Sequence, residues 1–214
     1  KVGQSQYNLR VLYFMKKILG VGHITVPSKV SSSSCAEYRI RDMKHLKEKI
    51  LPIFDKYPLR TSKQFQYEMF RKSLLVYTNS SMNKDEKEKL LTYYKSQKAP
   101  MNYISIVWKD VNEEFLTVEQ VQSILSKEWI VGFTEAEGSF YLEKKGPSRI
   151  SHCFEITQKK DKIVLKAISL LLDMKVIEKH TYFSCVTTNQ ASVHKVIDYF
   201  FKTIKGIKSL EYRI

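Results

Sequence analysis

The apolar positions of this chain recur in two matching sets. Val11, Phe14, Met15, Ile18 and Leu19 fall at i, i+3, i+4, i+7 and i+8, one apolar face of a helix. Val164, Ala167, Ile168, Leu171 and Leu172 repeat that spacing 153 residues later. Each helix follows a short polar turn, residues 4–8 in one case and 158–161 in the other, with Asn8 and Asp161 as candidate N-caps. Gly20-Val21-Gly22 stops the first helix. Residues 23–26 and 37–41 then read as strands, on either side of a Ser-rich tip at 31–34. Met43, Leu46, Ile50, Ile53 and Phe54 mark another amphipathic helix, ended by Pro58. The second half keeps this order, with strands near 176–179 and 182–187 and a helix through Val193, Ile197, Phe200 and Phe201. Lys63-x-x-x-Tyr67 and Lys208-x-x-x-Tyr212 each open a further helix.

The pattern predicts two α+β units, at 1–76 and 129–214, joined by a linker over 77–128. That linker is polar and charged through 79–98 and broken at Pro100. The units are not complete copies, because the second begins with a segment, 129–140, that the first lacks. Residues 129–138 read as a short apolar helix ending in an acid. Gly132 and Ala136 lie on one face of it, and small residues at that spacing let two helix backbones approach closely. A helical glycine costs about 1 kcal/mol, which close packing is expected to offset. Gly138 reads as the C′ glycine that ends the helix, and residues 139–142 as a strand. Glu137 stands at the negative end of the helix dipole, where a divalent cation would relieve the repulsion. Two such helices side by side would suit metal-assisted phosphodiester hydrolysis. An ordinary core helix with a solvated glutamate has the same spacing.

Charge narrows the class of partner. The 36 Lys and Arg exceed the 22 Asp and Glu by 14, giving a pI near 9.5. That excess points to a polyanion, with nucleic acid ahead of an anionic membrane. A hydrophobic content of 43% excludes a disordered chain, and the lack of any apolar run of 18 residues excludes a spanning helix. Arg39, Arg41, Lys144, Lys145 and Arg149 flank strands and are candidates to face nucleic acid. Cys35, Cys153 and Cys185 fit neither a disulfide framework nor a zinc ribbon, and point to a reducing compartment. The five histidines show no ligand spacing, and Trp108 and Trp129 read as core. Lysines outnumber arginines 29 to 7, which predicts an A/T-rich gene.

Residues 130–138, IVGFTEAEG, resemble the nine-residue LAGLIDADG motif. The chain as a whole resembles the LAGLIDADG homing endonucleases and intron maturases of organellar introns. It is most similar to the two-motif type encoded in fungal mitochondrial cytochrome b introns. The resemblance also rests on KKILGVGHI (16–24), YRIRD (38–42), ILPIFDKYPL (50–59) and FEITQKKD (154–161). It implies a pseudo-symmetric pair of αββαββα halves, a saddle of antiparallel sheets, truncated here at both ends. The first motif helix would then lie outside this chain, and the fragment alone is expected to be unstable or inactive. The resemblance further implies that Glu137 binds Mg²⁺ or another divalent cation at the scissile phosphates. It places Gln158 at the edge of the active site, with Ser5 its poorer match in the first half. Lys63 and Lys208 match lysines that neutralise phosphate charge, and Glu135 falls at the sixth motif position. The implied protein is a monomeric mitochondrial endonuclease that cuts double-stranded DNA at a specific site. A maturase that binds group I intron RNA without cleaving is the alternative.

Overall fold

The computed structural model describes residues 1–27 and 35–213, so the Ser-rich tip expected at 31–34 lies outside the described residues. The chain forms two compact units, Lys1–Lys109 and Asp110–Ile214. The stretch 77–128, expected as a linker, is therefore divided between them.

The first unit runs β1 (Val2–Ser5), α1 (Leu9–Leu19), β2 (His23–Thr25), β3 (Cys35–Arg39), α2 (Met43–His45), α3 (Leu51–Lys56), α4 (Lys63–Thr78) and α5 (Lys84–Ser96). Its sheet has the order β1-β3-β2, all antiparallel. Residues 2–5, of which 4 and 5 are expected in a turn, form a strand because they pair with β3 in register, Val2 opposite Tyr38 and Gln4 opposite Ala36. Four residues are too few for their alternation to stand out in the sequence. Strand β3 ends at Arg39 rather than at Arg41, and the Asp42 carboxylate accepts the His45 N–H at 2.8 Å to cap α2. A π-helical turn, Leu46–Ile50, joins α2 to α3 and completes the helical run expected there.

Leu12, Ala36 and Tyr38 form the core under this sheet, with Leu9, Met15 and Leu19 packed against them. The buried stripe of α1 is thus rotated from the expected one, and Phe14 and Ile18 are 51% and 67% exposed. The reason is that the sheet covers only one side of α1. A second cluster, Leu51, Tyr67 and Leu74, seats α3 on α4. Helix α5 packs along α4. The Trp108 indole N–H donates to the Arg60 carbonyl at 2.8 Å and holds the buried Trp108 in this unit.

The second unit runs α6 (Val118–Ile124), α7 (Lys127–Glu137), β4 (Gly138–Lys144), β5 (Ile150–Gln158), α8 (Lys162–Leu172), β6 (Lys175–Glu178), β7 (Phe183–Thr187), α9 (Gln190–Phe200) and α10 (Lys208–Glu211). From α7 to α9 it reads αββαββα. The sheet order is β4-β5-β7-β6, antiparallel throughout. Its β5-β7-β6 portion has the same order as β1-β3-β2. No strand matching β4 flanks β1 among the described residues.

Helix α8 meets the sheet on one side and α6 on the other. Consequently Ile163, Val164, Leu165, Ala167, Ile168 and Leu172 are all buried, a wider face than α1 can bury. Phe140 stacks on Phe154 at 4.6 Å, and Phe200 of α9 lies 5.5 Å from Phe154. Neither expected N-cap, Asn8 nor Asp161, makes a side-chain cap hydrogen bond. The Asn8 amide instead donates to Gln4 at 2.9 Å, and Asp161 sits at φ 60°. Side-chain caps come from Asp42, Asn83, Thr117, Ser126 and Asn189.

Phe154 is 1% exposed and touches two aromatic rings. Phe154→Ala is expected to lower unfolding free energy by about 3–5 kcal/mol, measured by urea denaturation.

Candidate active site

The motif helix starts two residues before the expected position. Ser126 caps α7 by accepting the Trp129 N–H at 3.3 Å, and Trp129 stacks on Phe133 at 4.8 Å while only partly buried. Ile130 and Thr134 point inward and are fully buried. Gly132, Ala136 and Glu137 are exposed on other faces, and a side chain added at Gly132 would meet open space. The small-residue face of α7 is accordingly bare in this unit.

Gly138 is not a left-handed helix cap. Its φ of −82° and ψ of 159° are extended, and it is at once the residue that ends α7 and the first of β4. What requires glycine here is space. A Cβ would lie 2.7 Å from the Thr134 Cγ2 and 2.8 Å from the Thr134 carbonyl oxygen. Helix and strand therefore join with no connecting loop, and Gly138 pairs with Ile156 of β5.

This junction places the candidate residues of the second unit. Glu137 is the last helical residue, exposed at the end of the sheet where α7 enters. Gln158 closes β5 two residues past Ile156, at that same end. Lys208 opens α10, which packs on β4. Its ammonium lies 3.0 Å from Glu211 Oε2, and its side chain is 17% exposed. Glu135 is half-buried, and its Oε1 accepts the backbone N–H groups of Lys205 at 2.5 Å and Gly206 at 2.6 Å. The loop in front of Lys208 is thereby hydrogen-bonded to the motif helix.

Both Lys-x-x-x-Tyr pairs turn out to pair a lysine at a helix start with a structural tyrosine. The Tyr67 hydroxyl donates to the Leu51 carbonyl at 3.1 Å and to the Asp55 carboxylate at 2.5 Å. Burial and the Asp55 carboxylate both push its pKa up. The Tyr67 hydroxyl, joined by Arg71 at 2.9 Å, holds the Asp55 carboxyl below its ordinary value. The Tyr212 hydroxyl donates to the Ile197 carbonyl at 2.6 Å, and its ring meets Phe140 edge-on at 5.6 Å. Each tyrosine thus anchors its helix to the one before it. Lys63 itself is exposed, its ammonium 3.2 Å from Gln66 Oε1.

Strand parity puts Gln158 and Ser5, its expected match in the first unit, on different faces. Gln158 shares the face of Phe154 and Ile156, toward the helices. In the first unit that face carries Val2 and Gln4, which pair with the buried Tyr38 and Ala36. Ser5 points the other way. Gln4 is the polar residue of β1 on the face that Gln158 occupies in β5.

The candidate nucleic-acid contacts are dispersed. Lys144, Lys145 and Arg149 are exposed around the β4–β5 hairpin, at the opposite end of the sheet from Glu137, and Lys145 pairs with Glu143 at 2.7 Å. Arg39 lies on the sheet face away from the helices and is engaged by Glu37, which also pairs with Lys1 at 2.8 Å. Those two hydrogen bonds hold the Glu37 carboxyl below its usual range. Arg41 is exposed beyond the end of β3. No three His, Cys, Asp or Glu side chains cluster as a metal site among the described residues.

The LAGLIDADG endonuclease family profile matches residues 1–74 and 130–214. The chain belongs to the LAGLIDADG endonuclease family. It is 37% identical, over its whole length, to a Schizosaccharomyces pombe protein described as "Probable intron-encoded endonuclease Cox1-I1b", covering 54% of it. It is 25% identical to a Neurospora crassa protein described as "Probable intron-encoded endonuclease 2", over 87% of this chain and 41% of that one. The chain thus spans about half the length of the curated relatives it matches. Among solved LAGLIDADG structures, I-SmaMI bound to an uncleaved DNA target with calcium ions superposes with a TM-score of 0.78 at 24% identity, covering 99% of this chain and 76% of that one. I-AabMI bound to uncleaved DNA gives 0.75 at 22%, covering 99% and 77%. These likenesses establish an α+β fold with two antiparallel sheets.

Gly138→Ala tests the helix–strand junction of this LAGLIDADG unit. Its added methyl would press on the Thr134 backbone, and a loss of about 1–3 kcal/mol of stability is expected in urea unfolding.

Proposed function

We propose that this chain belongs to a homing endonuclease that cuts double-stranded DNA at a specific site, encoded by a mitochondrial group I intron. The observation that carries the proposal is the position of Glu137. It is an exposed carboxylate at the end of the family motif, beside the end of β5 and on the helix that is hydrogen-bonded to the loop before Lys208. The net charge of +14 supplies attraction to the duplex, and binding should weaken as salt rises because counterions are released.

The donor chemistry fits a hard divalent cation such as Mg²⁺, which takes one or two carboxylates and completes its shell with substrate phosphate oxygens and water. Glu137 would hold it. When bound, the cation would polarise a phosphoryl oxygen and lower the pKa of a water molecule. The protein's own side chains supply the rest. Lys208 offers a cation to the phosphate, which must compete with Glu211 for the ammonium. In the first unit, Lys63 stands at the corresponding helix start. Gln158 supplies an amide, donor and acceptor in one side chain, suited to orienting water or a phosphate oxygen. Lys144, Lys145 and Arg149 contribute phosphate contacts away from the reacting bond, where they add affinity without sequence information.

The test is cleavage of intron-less exon-junction DNA by the full-length protein and by its Glu137→Gln variant. Metal stabilisation of the transition state is worth several kcal/mol, so the variant should lose about 100-fold or more in rate while retaining target binding. Mg²⁺-dependent cutting by the variant at the native rate would reject the role of Glu137.

A further inference from the structure

Two glutamates, Glu135 and Glu137, stand two positions apart on the motif helix. At about 100° per residue their side chains leave the helix on nearly opposite sides. Glu137 is exposed. Glu135 turns inward and bonds two successive backbone N–H groups, those of Lys205 and Gly206, seventy residues along the chain. Its second oxygen, Oε2, is buried and without a partner. A carboxylate that gives up water on one oxygen needs strong compensation, and two short charge-assisted bonds to the other provide it. Lys208 begins α10 only two residues beyond Gly206. The far end of α10 is fixed separately, by the Tyr212 hydroxyl on the Ile197 carbonyl. Helix α10 therefore has two anchors, and Glu135 is the one next to the lysine.

We propose that Glu135 is a positioning residue, which acts through the Lys205–Gly206 backbone to hold Lys208 in a fixed place relative to Glu137. This rests on the reading of Glu137 and Lys208 as active-site groups. The two glutamates divide the labour of one helix turn. One keeps its charge in the open for chemistry, and the other spends its charge on placing a cation beside that chemistry. A misplacement of the reacting groups by about 1 Å costs on the order of 100-fold in rate.

The experiment is a double-mutant cycle in the full-length protein, read by single-turnover cleavage and, separately, by target affinity. Glu135→Ala should lower the cleavage rate about 10- to 100-fold while changing target Kd less than about 3-fold. Glu135→Gln keeps an acceptor oxygen of the same reach and should recover most of that rate. In a Lys208→Met background, adding Glu135→Ala should cost less than about 3-fold further, because the group it positions is already gone. Losses that multiply independently, or a Glu135→Ala variant as fast as the native protein, would overturn the proposal. Amide hydrogen exchange supplies a readout that does not depend on catalysis. The Lys205 and Gly206 amides should be protected in the native protein and in Glu135→Gln, and should exchange faster in Glu135→Ala. Unchanged exchange would sink the proposal even if cleavage fell. Should Glu135→Ala fail to fold, Glu135→Asp takes its place, since the shorter side chain loses reach to both amides and should show the same losses. Absence of cleavage by the native protein, with protection of the two amides intact, would count against the nuclease reading and leave the anchoring contact standing.

Discussion

Helix α7 runs into strand β4 with no residue between them, and the rest of the second unit is arranged around that junction. Only glycine fits at 138, because any side chain there would collide with the Thr134 backbone one turn earlier. Once the junction is made, the pairing of Gly138 with Ile156 sets the register of β4 on β5, and Phe140 falls onto Phe154. That stack, closed by Phe200 and Tyr212, ties α9 and α10 to the strand that leaves the motif helix. A single steric condition therefore sets where Glu137 ends its helix and which residues gather at that end of the sheet.

Around the junction, structural and chemical duties fall on neighbouring residues. Thr134 is buried, Glu135 binds backbone amides, and Glu137 is exposed. The two tyrosines of the Lys-x-x-x-Tyr pairs do the same for their lysines, each anchoring a helix so that the lysine four residues earlier starts from a defined place.

The two units show how one pattern yields unequal burial. Helices α1 and α8 carry the same spacing of apolar residues, yet α8 buries nearly all of them and α1 leaves Phe14 and Ile18 in the open. The difference lies outside the helices. Helix α6 covers the second side of α8, whereas among the described residues α1 packs mainly on its sheet. A periodic sequence says which residues share a face. It does not say how many neighbours that face will meet.

Much of this protein was legible in the sequence for a local reason. Helical and strand periods are properties of consecutive residues, so the repeat at 153 residues, the main helices, several of the strands and the motif around Glu137 could be read directly. Errors arose where a local signal was short or a partner was distant. Residues 2–5 form a strand only because β3 lies beside them, and the same pairing turns Gln4 rather than Ser5 to the face that Gln158 shares in β5. Asn8 and Asp161 have the right chemistry for caps, but other geometry claimed them. The motif by itself gave a metal-binding expectation to Glu137 and left Glu135 without a partner. Only the folded chain shows what Glu135 meets, because the amides that engage it come from residues seventy positions away in the sequence.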